Sequence, residues 1–208
     1  MLAGFSSMTV ARAADRLDVV AFGDSLTAGY LLPPDAAFPV QLETALRARG
    51  HAVAVANAGV SGDTTAAGLA RFDWAIPEGT DAVILELGAN DALRGQKPSD
   101  ARKNLDEILA RLSQRNIPVL IAGMRAPTNW GPDYQRDFDA IFADLAEKHG
   151  AILYPFFLDG IALDPKLNLD DGLHPNPQGV TVIVERILPK VEELIERAKV
   201  RQALPPKT

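Results

Sequence analysis

The feature that most constrains the fold is a regular alternation of short apolar runs with longer amphipathic stretches, which begins at Leu17. Glycine or polar residues bound the apolar runs, which have the length of buried strands. Strands are predicted at 17–22, 52–56, 81–87, 117–122 and 152–154. Between and after them, apolar residues recur at helical spacing around 38–49, 64–72, 99–112, 134–149 and 177–200. Such alternation predicts a parallel sheet with helices on both faces.

Five strands joined by right-handed crossovers predict an α/β protein, a doubly wound three-layer α/β/α sandwich with a five-stranded parallel sheet. The chain shows no internal repeat and no linker, so we expect one domain at 15–200 and a C-terminal tail at 201–208. Asp63 is expected to cap the helix at 64–72, and Ser99 or Asp100 the helix that follows. Pro189 is expected to kink or divide the last helix.

The first 14 residues have the character of an export signal that lacks a basic start. Leu2 to Val10 is mostly small and apolar, and Ala11-Arg12-Ala13 has small residues at the two positions that a signal peptidase reads. We interpret residues 1–14 as a signal-peptide remnant, with a disordered extension as the alternative. The remnant favours a periplasmic or secreted protein over a cytoplasmic one.

Charge and cysteine content exclude several classes of function. The net charge of −6 argues against nucleic-acid binding, which requires a basic surface. No apolar run is long enough to span a bilayer, so stable membrane insertion is not expected. The absence of cysteine excludes a thiolate nucleophile and a cysteine zinc site. The three histidines lack metal-ligand spacing, so neither a metal nor a cofactor is expected.

Four polar segments follow predicted strands at the rim where open α/β sheets bind their ligands. They are Gly23-Asp24-Ser25-Leu26-Thr27, Ser61-Gly62-Asp63-Thr64, Gly88-Ala89-Asn90-Asp91 and Asp170-Asp171-Gly172-Leu173-His174-Pro175. Separately, each segment has the composition of a turn or a helix cap. Together they supply a nucleophile, a base, an acid that orients the base, and hydrogen-bond donors for an oxyanion.

Elimination among the histidines selects the base. His51 and His149 lie beside glycines at helix ends on the opposite rim, which leaves His174. Ser25 follows the first strand and is the candidate nucleophile, although a helix cap explains the Gly-Asp-Ser segment alone equally well. Asp171 lies three residues before His174 and can orient its imidazole, with Asp170 as a rival that we assign to the turn.

Three groups are candidate oxyanion donors: the backbone N–H groups of Ser25 and Gly62 and the side-chain amide of Asn90. Asp24 and Asp91 are expected to brace their loops through backbone N–H groups. The Gly-x-Ser-x-Gly elbow of α/β-hydrolases is absent, because Thr27 stands where its second glycine would be.

These blocks together resemble the SGNH hydrolases, also called the GDSL esterase/lipase family. The resemblance covers about residues 15–200, and the match is close to a bacterial subgroup of thioesterases I, lysophospholipases L1 and arylesterases. It is carried by four blocks in order, namely Gly-Asp-Ser-Leu-Thr-Ala-Gly-Tyr (23–30), Asn-Ala-Gly-Val-Ser-Gly-Asp-Thr (57–64), Glu-Leu-Gly-Ala-Asn-Asp (86–91) and Asp-Gly-Leu-His-Pro (171–175). It implies a flavodoxin-like fold, a Ser25–Asp171–His174 triad, an oxyanion hole from Ser25, Gly62 and Asn90, and export to the periplasm. Gly59 is a rival for the glycine donor.

The resemblance implies a serine esterase that cleaves small-molecule esters or thioesters through an acyl-enzyme. Four aromatic residues are candidates for the wall of an acyl groove: Tyr30, Trp130, Tyr134 and Phe157. Core packing explains Phe157, and its neighbour Phe156, equally well. A carbohydrate O-acetyl esterase is the alternative enzyme. A non-catalytic flavodoxin-like binding module is the third hypothesis, and it is disfavoured because the chain has no phosphate loop.

Overall fold

The computed structural model describes residues 16–203. The predicted signal-peptide remnant at 1–14 lies outside the described residues, as do residues 204–208 of the predicted tail.

The described chain contains a five-stranded sheet in which every neighbouring pair is parallel, as predicted. The strands are β1 (Leu17–Gly23), β2 (Val53–Gly59), β3 (Ala82–Glu86), β4 (Val119–Ala122) and β5 (Ile152–Tyr154). Their order across the sheet is β2-β1-β3-β4-β5. The chain therefore leaves β1 toward one edge and returns past it to β3, so the switch point of the topology lies between the carboxyl ends of β1 and β3.

Helices connect the strands and form the two outer layers. They are α1 (Ser25–Ala28), α2 (Phe38–Ala48), α3 (Thr65–Ala70), α4 (Phe72–Ala75), α5 (Ala89–Leu93), α6 (Pro98–Gln114), α7 (Pro132–His149) and α8 (Pro177–Ala203). Helix α2 packs beside α8, while α6 packs between α3 and α7. Right-handed crossovers place the first pair on one face of the sheet and the other three helices on the opposite face.

The core lies on both faces of the central strands. All five residues of β3 are buried, and so are all four of β4. Phe22 of β1 is fully buried, as are Leu105 of α6 and Ile187 of α8. Burial on both faces explains why these strands are continuous apolar runs and do not alternate.

Two predicted helix caps are wrong. Thr64, and not Asp63, caps α3 by accepting a hydrogen bond from the Ala67 N–H at 3.3 Å, because Asp63 is paired with Arg71. Helix α6 begins at Pro98 without a side-chain cap, so Ser99 and Asp100 lie inside its first turn. Proline suits this first position because it has no N–H that would be left without a partner.

The last helix is continuous through Pro189 and ends at Ala203, so it is not divided there and it includes the first three residues of the predicted tail. Pro189 and Glu185, whose carbonyl would otherwise bond to residue 189, are both exposed. Water can therefore hydrate that carbonyl. Ile187, Leu188 and Val191 on the other side are buried and hold the helix against the sheet. None of the helices within residues 16–203 is long and apolar enough to cross a membrane.

Candidate active site

Ser25 lies at the carboxyl end of β1, as the first residue of α1. Asp24 caps this short helix, because its Oδ1 accepts a hydrogen bond from the Leu26 N–H at 3.0 Å. Gly29 ends the helix at φ 81°, in the left-handed region that favours glycine. As the first helical residue, Ser25 has a backbone N–H without an intrahelical acceptor. Its hydroxyl and its N–H are therefore both available at the sheet's switch point.

A chain of hydrogen bonds joins Ser25, His174 and Asp171. The Ser25 Oγ lies 2.9 Å from His174 Nε2, and His174 Nδ1 lies 2.7 Å from Asp171 Oδ2. Gly172, at φ 68°, permits the tight turn that brings the last two side chains together. The structure thus brings together the three residues that the sequence predicts as nucleophile, base and orienting acid.

Backbone donors fix the Asp171 carboxylate in this position. Its Oδ1 accepts hydrogen bonds from the N–H groups of Leu173 at 2.9 Å and His174 at 3.0 Å. The backbone hydrogen bond from His174 is the largest influence that lowers the pKa of Asp171, to about 2. The carboxylate is therefore ionised throughout the neutral range and accepts the Nδ1 proton of the imidazole.

The predicted oxyanion donors Gly62 and Asn90 lie in the segments that follow β2 and β3. Gly62 is an exposed residue at φ 86° after β2, and within residues 16–203 its N–H makes no hydrogen bond. Asn90 lies in α5 and donates from Nδ2 to Asp24 Oδ2 at 3.1 Å. The rival Gly59 donates its N–H to Asn57 Oδ1 at 3.0 Å, so that N–H is occupied.

Two buried carboxyl groups support the loop that carries Ser25. Thr27 Oγ1 donates to Glu86 Oε2 at 2.6 Å, and the Asp24 N–H donates to the same oxygen at 3.3 Å. Burial raises the pKa of Asp24 to about 6, although hydrogen bonds from Leu26 and Asn90 oppose the shift. Burial, and then the charge of Asp24, raises the pKa of Glu86 well above its usual value. The sequence predicts the bracing role of Asp24, whereas nothing in the sequence pattern indicates one for Glu86.

Asp91 is also a bracing residue, as predicted. Its carboxylate accepts hydrogen bonds from the N–H of Thr65 at 2.8 Å and from the Thr65 hydroxyl at 2.6 Å. It thereby connects the start of α3 to α5, and its carboxylate is occupied by these structural hydrogen bonds.

An open cavity of about 440 Å³ lies beside Ser25 and His174. Its wall is mainly apolar and is formed by Leu26 of α1, by Ala89, Asn90, Ala92 and Leu93 of α5, by Met124–Thr128 after β4, and by Phe156, Leu158, Leu163 and Leu173. Leu163 at its mouth is 89% exposed and has φ 65°, which is a strained conformation for leucine. Sequence reasoning missed these leucines, because single leucines in loops carry no periodic signal.

Of the four aromatic candidates for the groove, only Tyr30 lies beside the catalytic residues within the described part of the chain. The Tyr30 ring lies 4.6 Å from the His174 ring, so it borders the site. Trp130 and Tyr134 lie outside the cavity wall and donate to the backbone oxygens of Ala92 at 2.8 Å and Gln96 at 2.7 Å. These hydrogen bonds support the end of α5 and the loop that follows it. The prediction that Trp130 and Tyr134 form the wall of the acyl groove is therefore wrong.

Phe157 is a core residue, so its prediction as a substrate-binding residue is also wrong. It is fully buried and its ring packs edge-on against Phe38 at 5.1 Å. The neighbouring Phe156 lines the cavity instead, with the Arg125 guanidinium 4.7 Å from its ring centroid.

The two other histidines lie away from this site. His51 contacts Glu192 of α8 at 3.3 Å, and His149 contacts Asp106 of α6 at 2.6 Å. Within the described residues, no group of histidine and carboxylate side chains could hold a metal ion.

Comparison with known proteins gives concordant matches along nearly the whole chain. Residues 21–182 match the model of the GDSL-like Lipase/Acylhydrolase family. An arylesterase of Vibrio mimicus is 37% identical over 92% of this chain and 94% of that protein. Thioesterase 1/protease 1/lysophospholipase L1 of Escherichia coli strain K12 is 36% identical over 89% of this chain and 87% of that protein. The crystal structure of AlinE4, an SGNH-hydrolase family esterase, superposes with a TM-score of 0.73 at 48% identity, over 86% of this chain and 96% of that one.

Proposed function

The chain belongs to the GDSL-like lipase/acylhydrolase family and is a serine hydrolase of carboxylic ester or thioester bonds, and from this premise we propose that Ser25 is its nucleophile. The single observation that carries the proposal is the hydrogen-bonded chain from Ser25 Oγ through His174 to Asp171. It supplies the adjacent base that a serine hydroxyl needs.

In the proposed first step, Ser25 Oγ attacks the carbonyl carbon while His174 Nε2 takes the hydroxyl proton. Asp171 stabilises the resulting imidazolium. The negative charge on the carbonyl oxygen is held by the N–H groups of Ser25 and Gly62 and by the Asn90 amide. When the C–O or C–S bond breaks, His174 returns the proton to the departing alkoxide or thiolate.

In the second step, water attacks the acyl-enzyme and His174 acts as base again. The free acid leaves, and the proton returns to Ser25. The arrangement needs no metal, because donors of the chain itself face the developing oxyanion.

The cavity beside Ser25 supports an acyl group as the part of the substrate that it receives. Its wall is mainly apolar, with Leu93, Leu163 and Leu173 partly exposed around the opening. A carbohydrate acetyl ester has a polar alcohol and a two-carbon acyl group, which would leave most of this wall without a partner. The lining therefore favours longer acyl esters or thioesters over carbohydrate O-acetyl esters.

The first test is turnover of p-nitrophenyl esters from acetate to palmitate by the wild type, Ser25→Ala and Ser99→Ala. Ser99 is an exposed serine at the start of α6 and is the matched control. We expect Ser25→Ala to lose turnover and labelling by a fluorophosphonate, while Ser99→Ala keeps both. Retained turnover in Ser25→Ala would contradict the assignment.

The chain-length profile from the same series separates the two substrate classes. We expect kcat/KM to rise from acetate to medium or long acyl groups, because each CH₂ that enters an apolar wall contributes about 0.8 kcal/mol. A maximum at acetate with a steep loss beyond it would instead favour the carbohydrate O-acetyl esterase.

A further inference from the structure

Arg94 contacts both Gly62 and Asn90, the two proposed oxyanion donors that lie outside the Ser25 segment. It follows α5 directly, and its N–H donates to the Asn90 carbonyl at 3.2 Å. Its Nη2 donates to the Gly62 carbonyl at 3.0 Å and lies 3.5 Å from Asn90 Oδ1. One nitrogen thus joins the loop after β2 to the Asn90 side chain after β3.

The charges on either side of Asn90 determine how its amide is oriented. The Asp24 carboxylate accepts from Asn90 Nδ2, while the cationic Arg94 faces Oδ1. The flipped amide would place its oxygen against the carboxylate and its N–H₂ against the guanidinium. Both contacts would then be repulsive, so the observed orientation is favoured from both ends. One hydrogen of Nδ2 bonds to Asp24, and within residues 16–203 the second has no hydrogen-bond partner, so it is available to a substrate oxygen.

Gly62 has a different need for support. It is exposed and lies at φ 86°, where glycine has wide conformational freedom. The Asp63 N–H donates to the Val60 carbonyl at 3.1 Å, which closes a turn with Gly62 inside it. Any remaining motion of this exposed turn would have to be fixed at the moment of reaction, at a cost in entropy. The hydrogen bond from Arg94 to the Gly62 carbonyl restrains the residue before substrate arrives.

Within residues 16–203, no carboxylate forms an ion pair with Arg94. Its guanidinium is therefore not held by a competing salt bridge, although its charge also acts on the nearby Asp91 carboxylate. Removal of the side chain would act on the Gly62 and Asn90 segments and would remove this charge near Asp91.

We propose that Arg94 is a positioning residue that aims both the Gly62 N–H and the Asn90 amide at the oxyanion. This inference rests on the proposed function, because it assumes that Gly62 and Asn90 hold the oxyanion. Arg94 is not among the residues that line the cavity, so its effect on the reaction passes through the two donors.

The test combines Arg94→Met with Asn90→Ala in a double-mutant cycle and measures kcat and KM on one p-nitrophenyl ester. Methionine keeps an unbranched apolar stem and removes both contacts. Arg102→Met is the matched control, because Arg102 is paired with the exposed Asp144 on the outer face. Ser25→Ala gives the background rate, and thermal unfolding checks that each variant is folded.

We expect Arg94→Met to lower kcat roughly 10-fold, less than the 10²–10³ expected for deletion of a donor, with KM within about twofold. In the Asn90→Ala background, we expect Arg94→Met to lower kcat by less than about threefold, since one of its two targets is already absent. Arg94→Lys should recover part of the loss, because an ammonium can donate to one acceptor. Arg102→Met should have wild-type kcat.

A kcat of Arg94→Met within twofold of the wild type would overturn the inference, and so would an equal loss in both backgrounds. If Asn90→Ala is impaired in either case, the proposed function survives and only the role of Arg94 is lost. If Asn90→Ala is fully active, Asn90 is not an oxyanion donor and the premise of the inference fails. If Ser25→Ala still turns over, the proposed function itself fails.

Discussion

The two oxygens of Asp171 have different partners, and this difference predicts the result of a one-atom change. Oδ1 is occupied by the backbone N–H groups of Leu173 and His174, so only Oδ2 faces the imidazole. In Asp171→Asn, the amide oxygen must stay on the backbone donors, which turns the N–H₂ group toward Nδ1. The imidazole then carries its proton on Nε2 and cannot accept the proton of Ser25.

We therefore expect Asp171→Asn to lower kcat by roughly 10³–10⁴ at neutral pH, in line with the loss that follows a wrong tautomer in other triads. The control is Asp170→Asn, because Asp170 is the exposed neighbour that we assigned to the turn. Steady-state kinetics of both variants tests the assignment. An active Asp171→Asn together with an inactive Asp170→Asn would reverse the roles of the two aspartates.

The sequence predicts the site residues that strand ends bring to the rim, but not those whose orientation depends on packing. Ser25, Asn90 and His174 follow from strand ends and elimination, because parallel strands carry their successors to one rim. The prediction that Trp130 and Phe157 bind substrate is wrong, because an aromatic residue near a rim has the same sequence pattern whether it faces the cavity or the core. The orientation of Trp130 depends on its hydrogen bond to Ala92, and that of Phe157 on its packing against Phe38. Neither contact can be read from the local sequence.

At the scale of elements, α8 is the clearest departure from local preference. Pro189 lies inside a helix of 27 residues, where proline is about 3 kcal/mol less favourable than alanine. The helix continues because its inner side is buried along most of its length. Periodicity predicted the extent of this helix well, but the helix end at Ala203 depends on contacts of Arg201 and Gln202 with Asp81.

The cost of proline inside α8, which burial of the helix offsets, predicts the effect of Pro189→Ala on stability. Alanine restores the backbone hydrogen bond to the Glu185 carbonyl and removes the ring that crowds it, so we expect the free energy of unfolding to rise by about 1–3 kcal/mol. Lys190→Ala, at the next exposed position, should change it by less than about 0.5 kcal/mol. Urea unfolding at pH 7 measures both. An unchanged or lower stability in Pro189→Ala would mean that Pro189 costs this helix no stability.

At the scale of the whole molecule, the sheet is the part that the sequence predicts best. Every strand and the parallel class follow from apolar runs and their connections, and the order β2-β1-β3-β4-β5 is compatible with right-handed crossovers. What the sequence does not reveal is that Glu86, the last residue of β3, turns a carboxyl group into the core beneath Ser25. A charged residue at a strand end is ordinarily solvated, so its burial is visible only in the fold.

The buried pair of Asp24 and Glu86 makes the stability of the whole molecule depend on pH in an unusual direction. Both pKa values are raised, so the folded state binds more protons than the unfolded chain between about pH 4 and the folded pKa values. The stability that these groups contribute is full below about pH 4 and is lost as the pH rises. For Asp24 alone, a shift from 3.8 to about 6 corresponds to about 3 kcal/mol.

Glu86→Gln separates the contribution of Glu86 to the pH dependence of stability from that of Asp24. The amide oxygen can still accept from Thr27 and the Asp24 N–H, while the N–H₂ group replaces an oxygen that has no hydrogen-bond partner among residues 16–203. We expect the variant to match the wild type near pH 5 and to lose less stability between pH 5 and pH 8, because glutamine does not ionise. Urea unfolding at both pH values tests this, and Glu78→Gln on the surface is the control. Parallel stability profiles for Glu86→Gln and the wild type would show that Glu86 does not titrate in this range, and the fall in stability with pH would then belong to Asp24.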